Sequence, residues 1–232
     1  MKIEVLFPEF CNLYGDICNM TYLQQSLPEA EFIYTAYDQE PAFVNGDVSF
    51  IYMGTMTESA QEAVIEKLLP YKQQIQQSID KDVVWLVTGN AVEVVGEYIE
   101  KDDGTKIPGL GMFGVHAKRD MMHRHNSLFL GTVEDIKVIG FKSQFSMLYG
   151  DNADQYFMQV EKGIGIHTES QLEGIRKNNF FATYVLGPIL IMNPHLTKWL
   201  LQKAGVENPH VAFEEDAVQA YEIRYKEFEK KA

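Results

Sequence analysis

Two short segments constrain this chain most. Val48–Met53 and Val83–Val87 are almost unbroken apolar runs of strand length. A strand covered on one face alternates apolar and polar residues, whereas a strand covered on both faces reads as a continuous apolar run. Between them, Glu58–Ser78 places Ala63, Val64, Leu68 and Ile75 on one side and Glu and Gln on the other, which predicts a long amphipathic helix. Upstream, Lys2–Phe7 and Phe32–Tyr37 read as strands, with a helix over Ile17–Gln25 that Asp16 is placed to cap. After Val87 a Gly89-Asn90 turn leads into another short helix. The order β-α-β-β-α-β-α favours a parallel sheet covered by helices on both faces.

The rest of the chain reads differently. Asp102-Asp103-Gly104 is a hairpin tip. Met112–Val115, Leu128–Thr132, Asp135–Phe141 and Thr183–Leu186 read as strands. Asn193-Pro194 opens a helix through Leu201, and Glu214–Lys230 forms a terminal amphipathic helix. No repeat or linker interrupts the 232 residues, so a single α/β domain over 1–232 is expected.

The net charge of −13 repels phosphate backbones and anionic lipid, so neither nucleic acid nor membrane is an expected partner. No run of about 18 apolar residues predicts a membrane span. MKIEVLFPEF has no small-residue cleavage site, so no signal peptide is expected. Cys11 and Cys18 form no CxxC pair and read as packing thiols in a reducing, cytoplasmic setting.

Several stretches then line up in order. Asn12–Asp16 reads NLYGD, Gly54–Gln61 reads GTMTESAQ, and Val84–Gly96 reads VWLVTGNAVEVVG. Phe141–Tyr149 reads FKSQFSMLY, and Phe180–Leu190 reads FFATYVLGPIL, followed by Asn193–Leu201, NPHLTKWLL. Together they resemble the cobyric-acid-synthase-like (CobB/CobQ-like) class I glutamine amidotransferases, above all the amidotransferase subunits of lipid II isoglutaminyl synthases. The resemblance implies a flavodoxin-like three-layer α/β fold with a mostly parallel central sheet and a site at the carboxyl ends of its strands. It also implies glutamine hydrolysis by a cysteine thiolate, with a histidine as base and then acid.

The chemical positions are changed. By this resemblance the family cysteine falls on Gly89, or on Thr88 if one residue is inserted, and the histidine falls on Leu186. The glycine-rich turn that approaches the oxyanion carries Thr55 and Met56 after Gly54. The arginine that holds the glutamine carboxylate falls on Met147, and a further histidine on Gln144. Asp16, Asn90 and Glu93 keep the polar outline of the pocket. Thr88 has no evident base in the sequence, so a threonine nucleophile is not expected. The chain reads as an amidotransferase fold without its chemistry, requiring no cofactor, and as the noncatalytic partner of an amide-forming enzyme of Mur-ligase or cobyrinate type. Two alternatives remain: an active glutaminase using a thiol such as Cys11, and a stand-alone binding protein whose pocket Met56, Phe145 and Met147 make apolar. Met112, Met121, Met122, Met147 and Met158 suggest either core filling or a partner-binding face.

Other constellations are weaker. His116, His123 and His125 lack a third evident zinc ligand and read as a charged hairpin. Gly109-Leu110-Gly111 and Gly163-Ile164-Gly165 do not continue into a phosphate-binding fingerprint.

Overall fold

A computed structural model describes residues 1–231. The chain runs β1 (Lys2–Leu6), α1 (Cys18–Ser26), β2 (Glu31–Thr35), β3 (Phe50–Met53), α2 (Glu58–Leu68), α3 (Lys72–Asp80) and β4 (Val84–Thr88). Seven more strands follow: β5 (Tyr98–Glu100), β6 (Lys106–Pro108), β7 (Val115–Arg119), β8 (His125–Val133), β9 (Ile136–Gln144), β10 (Ser146–Gly150) and β11 (Met158–Lys162). Then come β12 (Leu172–Glu173), β13 (Ile175–Lys177), β14 (Phe180–Thr183), α4 (Ile189–Met192), α5 (Pro194–Lys203) and α6 (Glu214–Lys231).

The central sheet has six strands in the order β13-β14-β4-β3-β1-β2. Only β13 pairs antiparallel; β14, β4, β3, β1 and β2 run parallel. The two apolar runs are the adjacent central strands β3 and β4, and their side chains divide by parity. Phe50, Tyr52, Val84 and Leu86 enter one core with Met20 and Leu23 of α1 and Leu196, Leu200 and Leu201 of α5. Ile51, Met53, Trp85 and Val87 enter the other with Val64, Ile65 and Leu68 of α2 and Ile75 and Ile79 of α3. With both faces covered, neither parity has reason to be polar, which is why the runs are unbroken. Two four-stranded sheets, β10-β7-β5-β6 and β12-β11-β8-β9, flank this frame. The first adds Ile99, Ala117 and Leu148 to the α2–α3 side; the second adds Phe129, Val138 and Met158 to the α1–α5 side.

Four sequence expectations are corrected. The long helix over 58–78 is two helices, separated by a 3-10 turn at Leu69–Tyr71, because Pro70 has no N–H to continue the ladder. Asp16 does not cap α1; Ile17 stands at the cap and makes no side-chain cap bond. The strand expected over 112–115 begins at Val115. The strand expected over 183–186 ends at Thr183, and Leu186 instead forms an isolated bridge with Phe141. Among the described residues no helix is long and apolar enough to cross a membrane.

Candidate functional site

The carboxyl ends of β1, β3 and β4 bring Asp16, Gly54–Met56 and Thr88–Asn90 together. Gly89 follows β4 directly and adopts φ 61°, the left-handed region that costs an L-residue about 1–2 kcal/mol. A Cβ placed on Gly89 would lie 2.8 Å from Thr55 Cγ2 and 2.9 Å from Thr55 Cβ, and closer still to its Oγ1. The space a nucleophile's side chain would need at this turn is therefore filled by Thr55.

Thr55 is held there by Asp16. The Thr55 backbone N–H (2.8 Å), the Thr55 hydroxyl (2.6 Å) and the Thr88 hydroxyl (2.7 Å) all donate to Asp16 Oδ2. This spends the Asp16 side chain on β3 and β4, which explains why it leaves α1 uncapped. Tyr52 OH donates to the Asp16 carbonyl at 3.1 Å and accepts from Asn19 Nδ2 at 2.9 Å. Burial pushes the Asp16 carboxyl above its ordinary value, with the bonds from Thr55 and Thr88 opposing. Thr88 does have a carboxylate neighbour that the sequence did not reveal, but its side chain is fully buried. Gly54 is required by packing: a Cβ there would collide with the Cys11 carbonyl.

A second tier supports the turn. Asn90 and Met56 bond reciprocally, Met56 N–H to Asn90 Oδ1 at 3.1 Å and Asn90 Nδ2 to the Met56 carbonyl at 2.8 Å. Gln61 Nε2 donates to the Asn90 carbonyl (2.6 Å) and to Glu93 Oε2 (3.0 Å). Glu93 Oε1 accepts from Tyr184 OH at 3.0 Å and from Ser146 Oγ. Glu93 is a buried hub beneath the site rather than a wall of it, and burial pushes its carboxyl upward despite these donors. Arg119 NH2 reaches Gln61 Oε1 at 2.7 Å, and its NH1 reaches Glu62 at 3.0 Å.

A cavity of about 150 Å³ opens over this turn, lined by Tyr14, Thr55, Met56, Asn90, Gln144 and Phe145 among others. It contains neither a cysteine nor a histidine. Gln144, Phe145 and Arg124 separate it from a larger cavity of about 390 Å³, on which Met147 opens. The three expected apolar side chains are divided between the cavities: Met56 and Phe145 line the smaller, Phe145 and Met147 the larger, where Arg124 lies over the Phe145 ring at 4.3 Å beside Lys118 and Arg119.

Leu186 is buried and lines neither cavity. Its backbone exchanges hydrogen bonds with Phe141, at 2.8 and 3.2 Å. Cys11 is buried, with its thiol pKa driven far upward by burial and by Glu9 and Asp16, so it offers no thiolate. Cys18 is exposed, on the first turn of α1. Among the described residues no group of three His, Cys, Asp or Glu is placed to hold a metal. His116 stacks between Tyr98 and Tyr149, and His123 pairs with Asp120.

Sequence reasoning missed a buried ion pair beside the site. Lys142 and Glu173 are both fully buried and joined directly. Lys142 Nζ also donates to the Gly165 carbonyl at 2.6 Å, and Glu173 Oε1 accepts from Thr183 Oγ1 and Tyr184 N–H, each at 2.8 Å. Burial lowers the Lys142 pKa, with Glu173 opposing. The signal was present in the period of two: Val138, Gly140, Lys142 and Gln144 share the buried face of β9.

With this geometry in hand, comparison with known proteins locates the chain. No family model matches it. It is 23% identical over 205 residues to the GatD subunit of the glutamine-hydrolysing lipid II isoglutaminyl synthase of Staphylococcus aureus (strain N315), covering 88% of this chain and 83% of that one. The corresponding subunit of Streptococcus pneumoniae (strain ATCC BAA-255 / R6) is 24% identical over 246 residues, covering 100% and 93%. Among solved structures, a glutamine amidotransferase superposes with a TM-score of 0.58 at 12% identity, over 88% of this chain and 99% of its own. A glutamine amidotransferase of Thermotoga maritima gives 0.54 at 10%, over 96% and 92%. The fold is that of a class I glutamine amidotransferase, and the sequence resembles the amidotransferase subunit of lipid II isoglutaminyl synthases.

Proposed function

We propose that this chain is an amidotransferase-like subunit that docks on an amide-forming enzyme, of Mur-ligase or related type, and does not itself hydrolyse glutamine. One observation carries the reading: the side-chain space at the elbow is occupied by Thr55, which Asp16 fixes through two hydrogen bonds. Hydrolysis by this fold needs a thiolate at the strand-to-helix turn and a histidine beside it. Gly89 and Leu186 offer neither, and the buried Cys11 does not replace them. The relatives are named as subunits of a synthase, which favours a protein partner for this chain too. The scaffold around the turn, from Gly54 to the Asn90–Met56 clamp, is intact while the reactive groups are gone, so the fold retains a role other than cleavage.

The test is labelling and assembly together. A glutamine-mimicking electrophile needs an activated thiolate, and should leave the intact mass unchanged at residues 88–89. Co-expression with a Mur-ligase-like enzyme from the same genome should yield one species by light scattering after size exclusion. A covalent adduct mapped to the elbow, or a strictly monomeric chain that never co-migrates with such an enzyme, would remove the support.

A further inference from the structure

The larger cavity beyond Gln144 and Phe145 has its own chemistry. It measures about 390 Å³, within the range of small-molecule sites. It is walled by Lys118, Arg119, Arg124, Gln144, Phe145 and Met147, with Asp120 as its single carboxylate. In a chain of net charge −13 this gathering of cations is local. Lys118 is exposed and has a half-buried Glu100 partner at 3.4 Å, a pairing of small net strength. Arg124 is exposed, lies over Phe145, and has no carboxylate partner among the described residues.

Two buried polar atoms at this wall are unpartnered within the protein. Arg119 is 5% exposed; its NH1 and NH2 are taken by Glu62, Gln61 and the Glu58 carbonyl, and its Nε–H has no acceptor. Gln144 is also 5% exposed; its Oε1 has no donor. The orientation of that amide is fixed chemically, because Gln144 Nε2 lies 2.7 Å from the Ser146 carbonyl, which only an N–H can satisfy. A buried polar group without a partner costs on the order of 1–3 kcal/mol, so both atoms favour a ligand that completes them.

We propose that this cavity binds a small anion that carries, or stands beside, one hydrogen-bond donor. The anionic oxygens accept from Arg119 Nε–H and pair with Arg124, and the donor meets Gln144 Oε1. Hydrogen phosphate is the simplest such species, since it keeps one O–H at neutral pH, whereas sulfate has the same shape and no proton to give.

The experiment is calorimetric titration of the full chain with inorganic phosphate, sulfate and glycerol 3-phosphate at matched ionic strength and neutral pH. Phosphate should bind saturably at one site, at least about tenfold more tightly than sulfate, the equivalent of about 1.4 kcal/mol. Arg124→Ala, an exposed change that leaves unfolding unaltered, should weaken both anions. Gln144→Leu should abolish the preference for phosphate over sulfate while sparing sulfate. Tighter binding of the ester than of free phosphate supports a phosphorylated metabolite, and the reverse supports free phosphate. No saturable binding, equal affinity for phosphate and sulfate in the native chain, or binding unaffected by Arg124→Ala would overturn the proposal.

Discussion

At the scale of single residues, Gly89 and Thr55 are coupled by volume. Alanine at 89 meets two penalties: a left-handed backbone of about 1–2 kcal/mol and overpacking of about 1–3 kcal/mol against Thr55. Gly89→Ala should therefore destabilise the fold by about 2–5 kcal/mol in urea unfolding. Thr55→Gly destabilises separately, by removing a hydroxyl from Asp16, but it also clears the space. The double variant should be less destabilised than the sum by at least about 1 kcal/mol, and strict additivity would show that the two residues do not compete. Asp16 makes a second prediction. Its carboxyl titrates above its ordinary value because burial disfavours the charge. Between the unfolded and folded pKa the native state binds more protons, so stability falls as pH rises through that window. Asp16→Asn removes this proton. Native stability measured relative to Asp16→Asn should decline as pH rises from the ordinary aspartate value through the raised one, and a flat or rising difference would contradict the burial argument.

Among the elements, the Lys142–Glu173 pair fastens β9 to β12 and, through Thr183, to the end of β14. Breaking a fully buried pair leaves an uncompensated charge and costs about 3–5 kcal/mol. Lys142→Met should lower the urea midpoint accordingly, and adding Glu173→Gln should recover much of the loss because no charge remains unpaired. A double variant as unstable as Lys142→Met would indicate that the pair is not the fastening. This level also shows what the sequence could reveal. The runs at 48–53 and 83–87 disclosed doubly covered strands because both parities of a buried strand are apolar. The Gly89 turn was legible because a Gly-Asn pair directly follows the apolar run that forms β4. The break at Pro70 was missed although its signal stood in the sequence: the helix period was read through a residue without an N–H. The role of Asp16 was not legible. A local cap and a distant partner look alike in sequence, and the choice fell to Thr55 and Thr88, 39 and 72 residues away. The cationic cavity was hidden for the same reason, because Arg119, Arg124 and Gln144 meet only after β7, β8 and β9 fold together.

For the molecule as a whole, the proposed docking role draws on an acidic surface carried by an amidotransferase-like frame. Its net charge of −13 speeds encounter with a basic partner face and makes that encounter sensitive to salt. Of the methionines considered as a partner face, Met158 is in the core, whereas Met122 is 83% exposed on the turn that also carries Arg124. Replacing Met122 with Ser should leave unfolding within about 0.5 kcal/mol of native, while the association rate with the partner falls as salt rises in both forms. Ammonia release decides whether the fold persists without cleavage chemistry, as proposed. The purified chain, alone and with its co-expressed amide-forming partner, is supplied with glutamine and the ammonia is quantified against a blank containing partner only. Release should equal the blank in both cases, since removing either member of a nucleophile–base pair costs several orders of magnitude in rate. Release that rises in proportion to this chain and disappears on Asp16→Asn or Thr88→Val would contradict it, and would place a nucleophile at the very turn where Thr55 now stands.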